Sequence, residues 1–267
     1  MIKKWSVSYP AHTGREPRNV YVYLPLDYEY EEERRYPVLY MFDGHNAFYD
    51  RDATYGKSWG LGRYLDRTAA PLIVVAVECN HSPNNDRLSE YSPYDFDNPH
   101  YGKFKGRGDE TMNWFIHTLK PRIDREFRTL KDRDHTFIMG SSMGGLMSLY
   151  AVLKYNKVFS RAAALSPSIW VSLPKLRDLI QNAPISPDTV IYMDYGSREM
   201  SFHAGNERSF SALGGELLAR RIHLTQRIVP QGDHSEASWE KQLPFCIGTL
   251  MYGLEDDEEM QPKEKKG

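Results

Sequence analysis

The 267-residue sequence is poor in cysteine, and its charges nearly cancel. Its two cysteines, Cys79 and Cys246, lie far apart and belong to no CxxC or CxxH pattern. This argues against a disulfide framework or a zinc knuckle and predicts two small buried side chains. The net charge of -2, from 34 Lys and Arg against 36 Asp and Glu, provides no field that would attract nucleic acid or an anionic membrane. The expected partner is a small molecule, and a homo-oligomer is compatible with this composition.

Long apolar runs are also missing. None of signal-peptide length follows residues 1–6, and none approaches the length of a membrane span, so we expect a cytoplasmic protein. With 40% hydrophobic residues the chain can form one large core, which predicts a single domain over residues 1–253. The remaining residues, 254–267, are mostly charged and are predicted to be disordered.

Short runs rich in Val, Ile and Tyr alternate with helical patterns. The runs predict strands at residues 20–24, 36–42, 72–77, 136–139, 162–165, 190–193 and 222–229. The middle runs are almost continuously apolar, as in parallel strands that are covered on both faces. Helices are predicted at 109–129, with Asp109 as cap and an interruption at Pro121, and at 143–155, 207–221 and 236–252. Together these patterns predict a three-layer α/β domain with a mostly parallel sheet, and residues 80–108 as its longest irregular stretch.

A candidate nucleophile follows one of the predicted strands. Gly140, Ser142 and Gly144 fit the pattern G-x-S-x-G, with the strand 136–139 before it and a helical stretch after it. In that pattern the serine occupies a strained strand-to-helix turn, where larger residues two positions away would collide with the neighbouring backbone. The alternative is a tight turn without reactivity. If the turn is reactive, a histidine must take the serine proton and an acid must orient that histidine.

The acid and the base are expected downstream of Ser142, in that order. Of the three histidines there, His223 falls within a predicted strand and His234 follows that strand on a turn, which favours His234 over His223 and His203 as the base. Glu199 lies just past the strand 190–193 and is the preferred acid. Asp194 is the alternative acid, whereas Asp233 is poorly placed because its side chain diverges from that of the adjacent His234.

An oxyanion hole needs two backbone N–H groups. Met143 follows the nucleophile at a helix start and should provide one of them. The loop after the strand 36–42 contains Gly44, which lets the backbone turn inward, and His45 or Asn46 could provide the other. Asp43 and His45 could instead suggest a metal, but no third ligand stands at a recognisable spacing such as HExxH. We therefore expect neither a metal nor a cofactor.

Several longer stretches resemble one family of esterases. They include YPVLYMFDGHNAF, LIVVAVECN, LKPRIDREFRTL, IMGSSMGGLMSLYAVLKY, ALSPSIW, YMDYGSRE and GDHSEASWEKQLP, and they extend over residues 36–244. The chain is similar to the family that contains esterase D, enterochelin esterases and feruloyl esterases. The resemblance implies an α/β-hydrolase fold, Ser142 as nucleophile, Glu199 as acid, His234 as base and the loop 44–46 as an oxyanion donor. Members of the family often carry Asp where this chain has Glu199.

The resemblance also suggests pocket residues. Arg87, Glu90 and Tyr91 could shape the pocket, although an Arg–Glu pair that stabilises a long loop is an equal alternative. Trp59 and Trp170, together with Trp239, could wall the pocket or belong to the core.

The implied activity is hydrolysis of carboxylic esters that carry acetyl, feruloyl or other acyl groups on a sugar or small alcohol. Cleavage of a siderophore trilactone and acyl transfer are alternatives that would use the same three residues. An inactive hydrolase fold that binds a ligand is the non-enzymatic alternative.

Overall fold

An eight-stranded, mostly parallel sheet runs through the protein in a computed structural model that describes residues 1–9, 17–98, 100–201 and 205–254. The strands are β1 Ile2–Val7, β2 Arg18–Tyr23, β3 Val38–Phe42, β4 Ile73–Val77, β5 Phe96–Asn98, β6 Gly102–Phe104, β7 Thr136–Ser141, β8 Arg161–Leu165, β9 Val190–Gly196 and β10 His223–Val229. The sheet has the order β1-β2-β4-β3-β7-β8-β9-β10, and β5 and β6 form a separate hairpin. The strands from β4 to β10 in this order are parallel, while β2 is antiparallel to both β1 and β4.

Helices cover both faces of the sheet. They are α1 Leu61–Thr68, α2 Asp86–Glu90, α3 Gly108–Trp114, α4 Lys120–Glu126, α5 Met143–Lys154, α6 Leu173–Asn182, α7 Asn206–Ala219, α8 Glu236–Glu240 and α9 Leu243–Met251. The apolar residues of α3 to α7 pack on one face, and those of α1 and α9 pack on the other. The predicted three-layer α/β fold with a mostly parallel sheet is therefore confirmed.

The sheet is apolar on both sides because successive residues of its central strands enter different cores. In β3, Val38, Tyr40 and Phe42 belong to the core beneath α5. Leu39 and Met41 belong to the opposite core beneath α1 and α9. A strand buried on both faces must be apolar at every position, which explains the continuous runs in the sequence.

Two predicted helices differ from the observed ones. The helix predicted over 236–252 is divided into α8 and α9, because Pro244 lies in the first turn of the second helix and cannot continue the first. The helix predicted over 109–129 begins at Gly108, with Asp109 inside its first turn rather than at its cap, and it ends at Glu126. Ahead of Pro121 the helix widens into a π-turn, Phe115–Leu119, and so continues without a break.

The stretch over residues 80–108 is more regular than expected. It contains α2 and the hairpin β5–β6, and Pro99 lies outside the described residues. Glu90 fixes this segment to the sheet: its carboxylate accepts a 2.8 Å hydrogen bond from Arg18 at the start of β2 and a 2.9 Å bond from the Asn80 N–H. Both Arg18 and Glu90 are buried. An ion pair of this kind holds one geometry, since breaking it would leave a buried charge uncompensated.

The domain extends one residue further than predicted, to Leu254. Leu254 is buried in the core beneath α9, so it does not belong to a charged tail. Residues 255–267, which hold the rest of the predicted tail, lie outside the described residues. Within the described residues, no helix is both long and apolar enough to cross a bilayer.

Two glycines bring together the loops that follow β9 and β10. A Cβ added to Gly196, the last residue of β9, would lie 2.3 Å from the carbonyl carbon of Gly232, and one added to Gly232 would lie 2.9 Å from Gly196 Cα. The backbones also bond directly, since the Arg198 N–H donates to the Gly232 carbonyl at 3.0 Å. Only glycine permits this approach, which sets residues 197–200 beside residues 231–234.

Candidate active site

Ser142 occupies a strained turn at the carboxyl end of the sheet. It joins β7 directly to α5 with φ 57° and ψ -121°, a conformation that few L-residues adopt. A Cβ at Gly140 would lie 2.7 Å from the Gly144 backbone, and one at Gly144 would lie 3.0 Å from the Phe42 Cβ. The glycines of the motif are thus required by close packing, and the turn presents the serine side chain above the sheet.

Glu199 and His234 form a hydrogen-bonded pair across the two adjoining loops. His234 Nδ1 lies 2.6 Å from Glu199 Oε2, a distance typical of a charge-assisted hydrogen bond in which the ring N–H donates. Glu199 is almost completely buried, whereas the His234 side chain is 37% exposed. The pairing leaves Nε2 of His234 as the ring nitrogen that can accept a proton.

The other carboxylate oxygen of Glu199 also accepts hydrogen bonds. Oε1 accepts hydrogen bonds from the Gly196 N–H at 2.8 Å and from the Ser166 hydroxyl at 2.7 Å. The Ser166 hydroxyl in turn accepts a 3.0 Å bond from the Trp239 indole N–H. The extra methylene of Glu, compared with Asp, is accommodated because the side chain folds back onto its own turn to reach Gly196. Sequence reasoning missed Ser166, whose signals were its position directly after β8 and its place in the stretch ALSPSIW.

Asp194, the alternative acid, lies inside β9 and has different partners. Its carboxylate accepts a 2.6 Å hydrogen bond from the Tyr192 hydroxyl and a 3.3 Å bond from the Ser166 N–H. It makes no hydrogen bond with His234 among the described residues. Burial raises the pKa of Asp194 to about 6, a shift that the Tyr192 hydrogen bond opposes. Asp194 therefore supports the strand end beneath Glu199 and does not contact the histidine.

Ser142 and His234 line the same cavity, of about 480 Å³. Among the described residues, the Ser142 hydroxyl makes one polar contact, 3.4 Å to the Ser168 hydroxyl, and no hydrogen bond joins it to His234. Catalytic hydrogen bonds are often loose without substrate and tighten when it binds.

The predicted oxyanion donors are not equivalent. Met143 is the first residue of α5, so its N–H lies among the helix-start donors that have no intrahelical acceptor. The Asn46 N–H already donates to the Asp43 carbonyl at 2.9 Å, which excludes it as a donor in this loop conformation. The His45 N–H has no hydrogen-bond acceptor among the described residues. Met143 and His45 therefore remain as the candidate oxyanion donors.

The loop that carries His45 is fixed by an ion pair. Arg87 donates two hydrogen bonds, at 2.7 and 2.6 Å, to the two carboxylate oxygens of Asp43. Burial alone would raise the pKa of Asp43, but the Arg87 guanidinium outweighs it and holds the pKa below its usual range. A Cβ at Gly44 would lie 2.4 Å from the backbone of Ala76, so the loop rests directly on β4.

The remaining predicted pocket residues have separate roles. Arg87 lines the cavity, but its partner is Asp43 and not Glu90. Glu90 and Tyr91 are buried behind the cavity, where the Tyr91 hydroxyl accepts a hydrogen bond from the Asp43 N–H. Trp59 is a core residue that packs on Trp239, with ring centroids 5.7 Å apart, and only Trp239 reaches the cavity. Trp170 lines a second, small cavity that also touches Glu199 and His234.

One group in the cavity wall could bind a metal. The ligand atoms of His45, Cys79 and His81 all lie within 4.8 Å of one another. Burial lowers the pKa of His45 to about 4, so its ring is neutral near pH 7. These residues do not have the spacing of a known sequence motif, and for that reason the sequence did not reveal them.

The family model described as "Putative esterase" matches residues 11–248. The chain belongs to this esterase family. It is accordingly a carboxylic ester hydrolase, as the resemblance in its sequence had implied. The matched range includes Ser142, Glu199 and His234.

The sequence identity between this esterase and its individual relatives is low. The uncharacterized protein YbbA of Bacillus subtilis is 25% identical over 185 residues, which cover 68% of this chain and 69% of YbbA. Esterase Rv1288 of Mycobacterium tuberculosis is 33% identical over 147 residues, but they cover 55% of this chain and only 28% of that protein. The siderophore hydrolase EstA of Aspergillus nidulans superposes with a TM-score of 0.71 at 21% identity, over 91% of this chain and 93% of EstA. That likeness establishes the shared fold.

Replacement of Asp194 by Asn tests the buried carboxyl directly. Because the pKa of Asp194 is raised above its ordinary 3.8 to about 6, the folded protein holds a proton that the unfolded chain has lost between pH 4 and pH 6. Wild-type stability therefore falls as the pH rises through that interval. The Asn side chain does not titrate, so the stability of the variant relative to wild type should increase by about 2 kcal/mol from pH 4 to pH 7. Urea unfolding at both pH values measures the difference, and a pH-independent difference would contradict the assignment.

Proposed function

We propose that this esterase hydrolyses its substrates through an acyl-enzyme on Ser142, with His234 as general base and acid and Glu199 as the group that orients His234. The Glu199–His234 hydrogen bond supports the proposal most strongly. It fixes Nδ1 as the protonated ring nitrogen, which leaves Nε2 free to take the proton of Ser142. A buried carboxylate also stabilises the imidazolium that forms when the proton moves.

The reaction has two stages. Ser142 Oγ attacks the ester carbonyl carbon while its proton passes to His234 Nε2, and the carbonyl oxygen acquires negative charge. The N–H groups of Met143, the residue after Ser142, and of His45, which lines the cavity, would stabilise that oxyanion, since neither has a hydrogen-bond acceptor among the described residues. The tetrahedral intermediate then collapses, the alcohol leaves with the proton of His234, and the acyl group remains on Ser142. Water, activated by the same histidine, releases the acid and restores the serine.

The charge of the cavity favours neutral esters. Its formally charged lining residues are Asp43, Arg87 and Glu236, and Arg87 is already neutralised by Asp43. Glu236 is buried and accepts a hydrogen bond from the Asn46 side chain. Two exposed tyrosines, Tyr55 and Tyr101, stand at the rim. We infer a substrate that carries a neutral acyl group on a sugar or small alcohol and rests against these aromatic rings.

Siderophore trilactone cleavage is the second candidate, because the siderophore hydrolases EstA and EstB of Aspergillus nidulans and the enterobactin and salmochelin hydrolase IroE have a similar fold. An iron-loaded catecholate siderophore carries several negative charges. A cavity without an unpaired Arg or Lys among its described lining residues would bind such a ligand poorly. The cavity charges therefore favour neutral esters over an anionic catecholate siderophore as substrate.

The two carboxylates near the histidine provide a matched test of the proposed acid. Glu199→Gln should lower kcat on an activated ester by about 10³ to 10⁴-fold, because the amide cannot hold the histidine in the correct tautomer. Asp194→Asn is the equivalent change at the carboxylate inside β9, five residues earlier, and it should lower kcat by less than about tenfold. Steady-state kinetics with p-nitrophenyl acetate measures both variants.

Ser142→Ala sets the background in that experiment and should also abolish labelling by a fluorophosphonate probe. If Asp194→Asn lowered kcat more than Glu199→Gln does, the result would refute the role of Glu199. Persistent labelling of Ser142→Ala would refute the nucleophile. Unfolding midpoints of all three variants separate lost chemistry from lost folding.

The substrate proposal predicts discrimination by charge. A neutral acyl ester should show a kcat/KM about tenfold above that of an ester with the same leaving group and a carboxylate on its acyl chain, because the anion approaches Glu236. Glu236→Gln should narrow this ratio by removing the repulsion. Paired assays with p-nitrophenyl butyrate and p-nitrophenyl hemisuccinate measure the ratio at several salt concentrations. A higher kcat/KM for an iron-loaded siderophore trilactone than for the neutral ester would overturn the substrate class.

A further inference from the structure

Three metal-ligating side chains meet in the wall of the active-site cavity. His45 follows β3, and Cys79 and His81 follow β4, the parallel neighbour of β3. Parallel strands end at the same edge of a sheet, so the two loops lie side by side. The ligand atoms of the three residues are all within 4.8 Å of one another, and the rings of His45 and His81 meet edge to face at 4.5 Å.

The His45 ring provides the strongest indication of a ligand. The residue is only 4% exposed, and its Nε2 contacts the Thr54 hydroxyl at 2.9 Å. Its Nδ1 is buried and has no hydrogen-bond partner among the described residues. Buried ring nitrogens are rarely left without a partner, because each one loses the hydrogen bond that it made with water. A metal ion would satisfy Nδ1 as a neutral imidazole ligand.

The donor set indicates which metal would bind. Two imidazoles and a thiolate suit Zn²⁺, whereas Mg²⁺ and Ca²⁺ prefer oxygen ligands. In a tetrahedral zinc site the donors lie roughly 3.5 Å apart, so the cluster would have to contract by about 1 Å. His81 is the exposed member and can supply that movement. Three protein ligands also leave the fourth position of the ion open.

We propose that His45, Cys79 and His81 bind a zinc ion in the wall of the cavity and that the bound ion inhibits ester hydrolysis. The inhibition rests on the proposed function, whereas the site does not. All three residues line the cavity shared by Ser142 and His234, and the N–H of His45 is a proposed oxyanion donor. A zinc ion held there occupies substrate space beside the proposed oxyanion donor, the N–H of His45. On binding, the Cys79 thiol loses its proton to solvent and coordinates as thiolate.

Metal binding can be measured without any assay of activity. The full chain is stripped with EDTA and titrated with ZnCl₂ by calorimetry, and with CoCl₂ by the absorption that thiolate-to-cobalt charge transfer produces in the near ultraviolet. We expect one site per chain and a charge-transfer band. His81→Ala should weaken zinc binding by about 100-fold or more. Loss of a residue that only hydrogen-bonds to a metal ligand typically weakens binding by about 10- to 100-fold, so loss of a ligand should have the larger effect. Cys79→Ala should abolish the cobalt band.

Each variant has a matched control. Cys246→Ala removes the other cysteine, which is buried against Met139 and away from the cavity, and should leave the cobalt band unchanged. His223→Ala removes an exposed histidine at the start of β10 and should leave zinc affinity unchanged. His81 is exposed, so His81→Ala remains informative even if Cys79→Ala fails to fold. Zinc binding that survives both Cys79→Ala and His81→Ala, or no binding at all, would overturn the site.

Inhibition by zinc is tested separately, by the rate of ester hydrolysis. Zinc should inhibit hydrolysis of p-nitrophenyl acetate by the wild type, EDTA should reverse the inhibition, and His81→Ala should require about 100-fold more zinc for the same effect. Zinc that binds through these residues without slowing hydrolysis would refute the inhibition. If no ester is hydrolysed under any condition, the proposed function fails, while the cobalt titration still decides whether the site exists.

Discussion

The active site depends on one hydrogen bond, between Glu199 and His234. A carboxylate as deeply buried as Glu199 is stable only when donors replace the water that it has lost, and here three groups do so: the His234 ring, the Ser166 hydroxyl and the Gly196 N–H. The same bonds fix which nitrogen of His234 carries the proton. The hydrogen bond that helps to stabilise the buried carboxylate of Glu199 is thus the same bond that would orient His234 as a base.

The fold supplies this arrangement through the ends of its parallel strands. Ser142 follows β7, Ser166 follows β8, Glu199 follows β9 and His234 follows β10, four strands adjacent in the sheet. Because crossover helices return each strand to the same edge, Ser142 and His234, 92 positions apart, line one cavity. The close contact of Gly196 with Gly232 then sets the final distance between the acid and the base. A second pair of strand ends, after β3 and β4, builds the opposite wall of the cavity from His45, Cys79 and Arg87.

The sequence predicted those parts of the molecule that depend on local pattern. The apolar runs located the central strands because each strand is buried on both faces, and G-x-S-x-G located the turn because its glycines are sterically required. Predictions failed where tertiary contacts decide. Arg87 could have paired with Glu90, three residues away, yet it binds Asp43, and Glu90 binds Arg18 instead. The N–H of Asn46 was a plausible oxyanion donor until the turn at Asp43 was seen to use it. The role of Ser166 and the grouping of His45, Cys79 and His81 could not be predicted, because the residues that they meet come from other strands.

The proton between Glu199 and His234 gives the most direct test of this account. A short N–H···O bond to a buried carboxylate shifts the imidazole proton far downfield in a ¹H NMR spectrum, and ¹⁵N labelling of histidine assigns it to Nδ1. We expect such a resonance in the wild type, its retention in Asp194→Asn, and its loss in both Glu199→Gln and His234→Ala. A downfield resonance that persists in Glu199→Gln, or that disappears only in Asp194→Asn, would contradict the account and assign the histidine to a different acid.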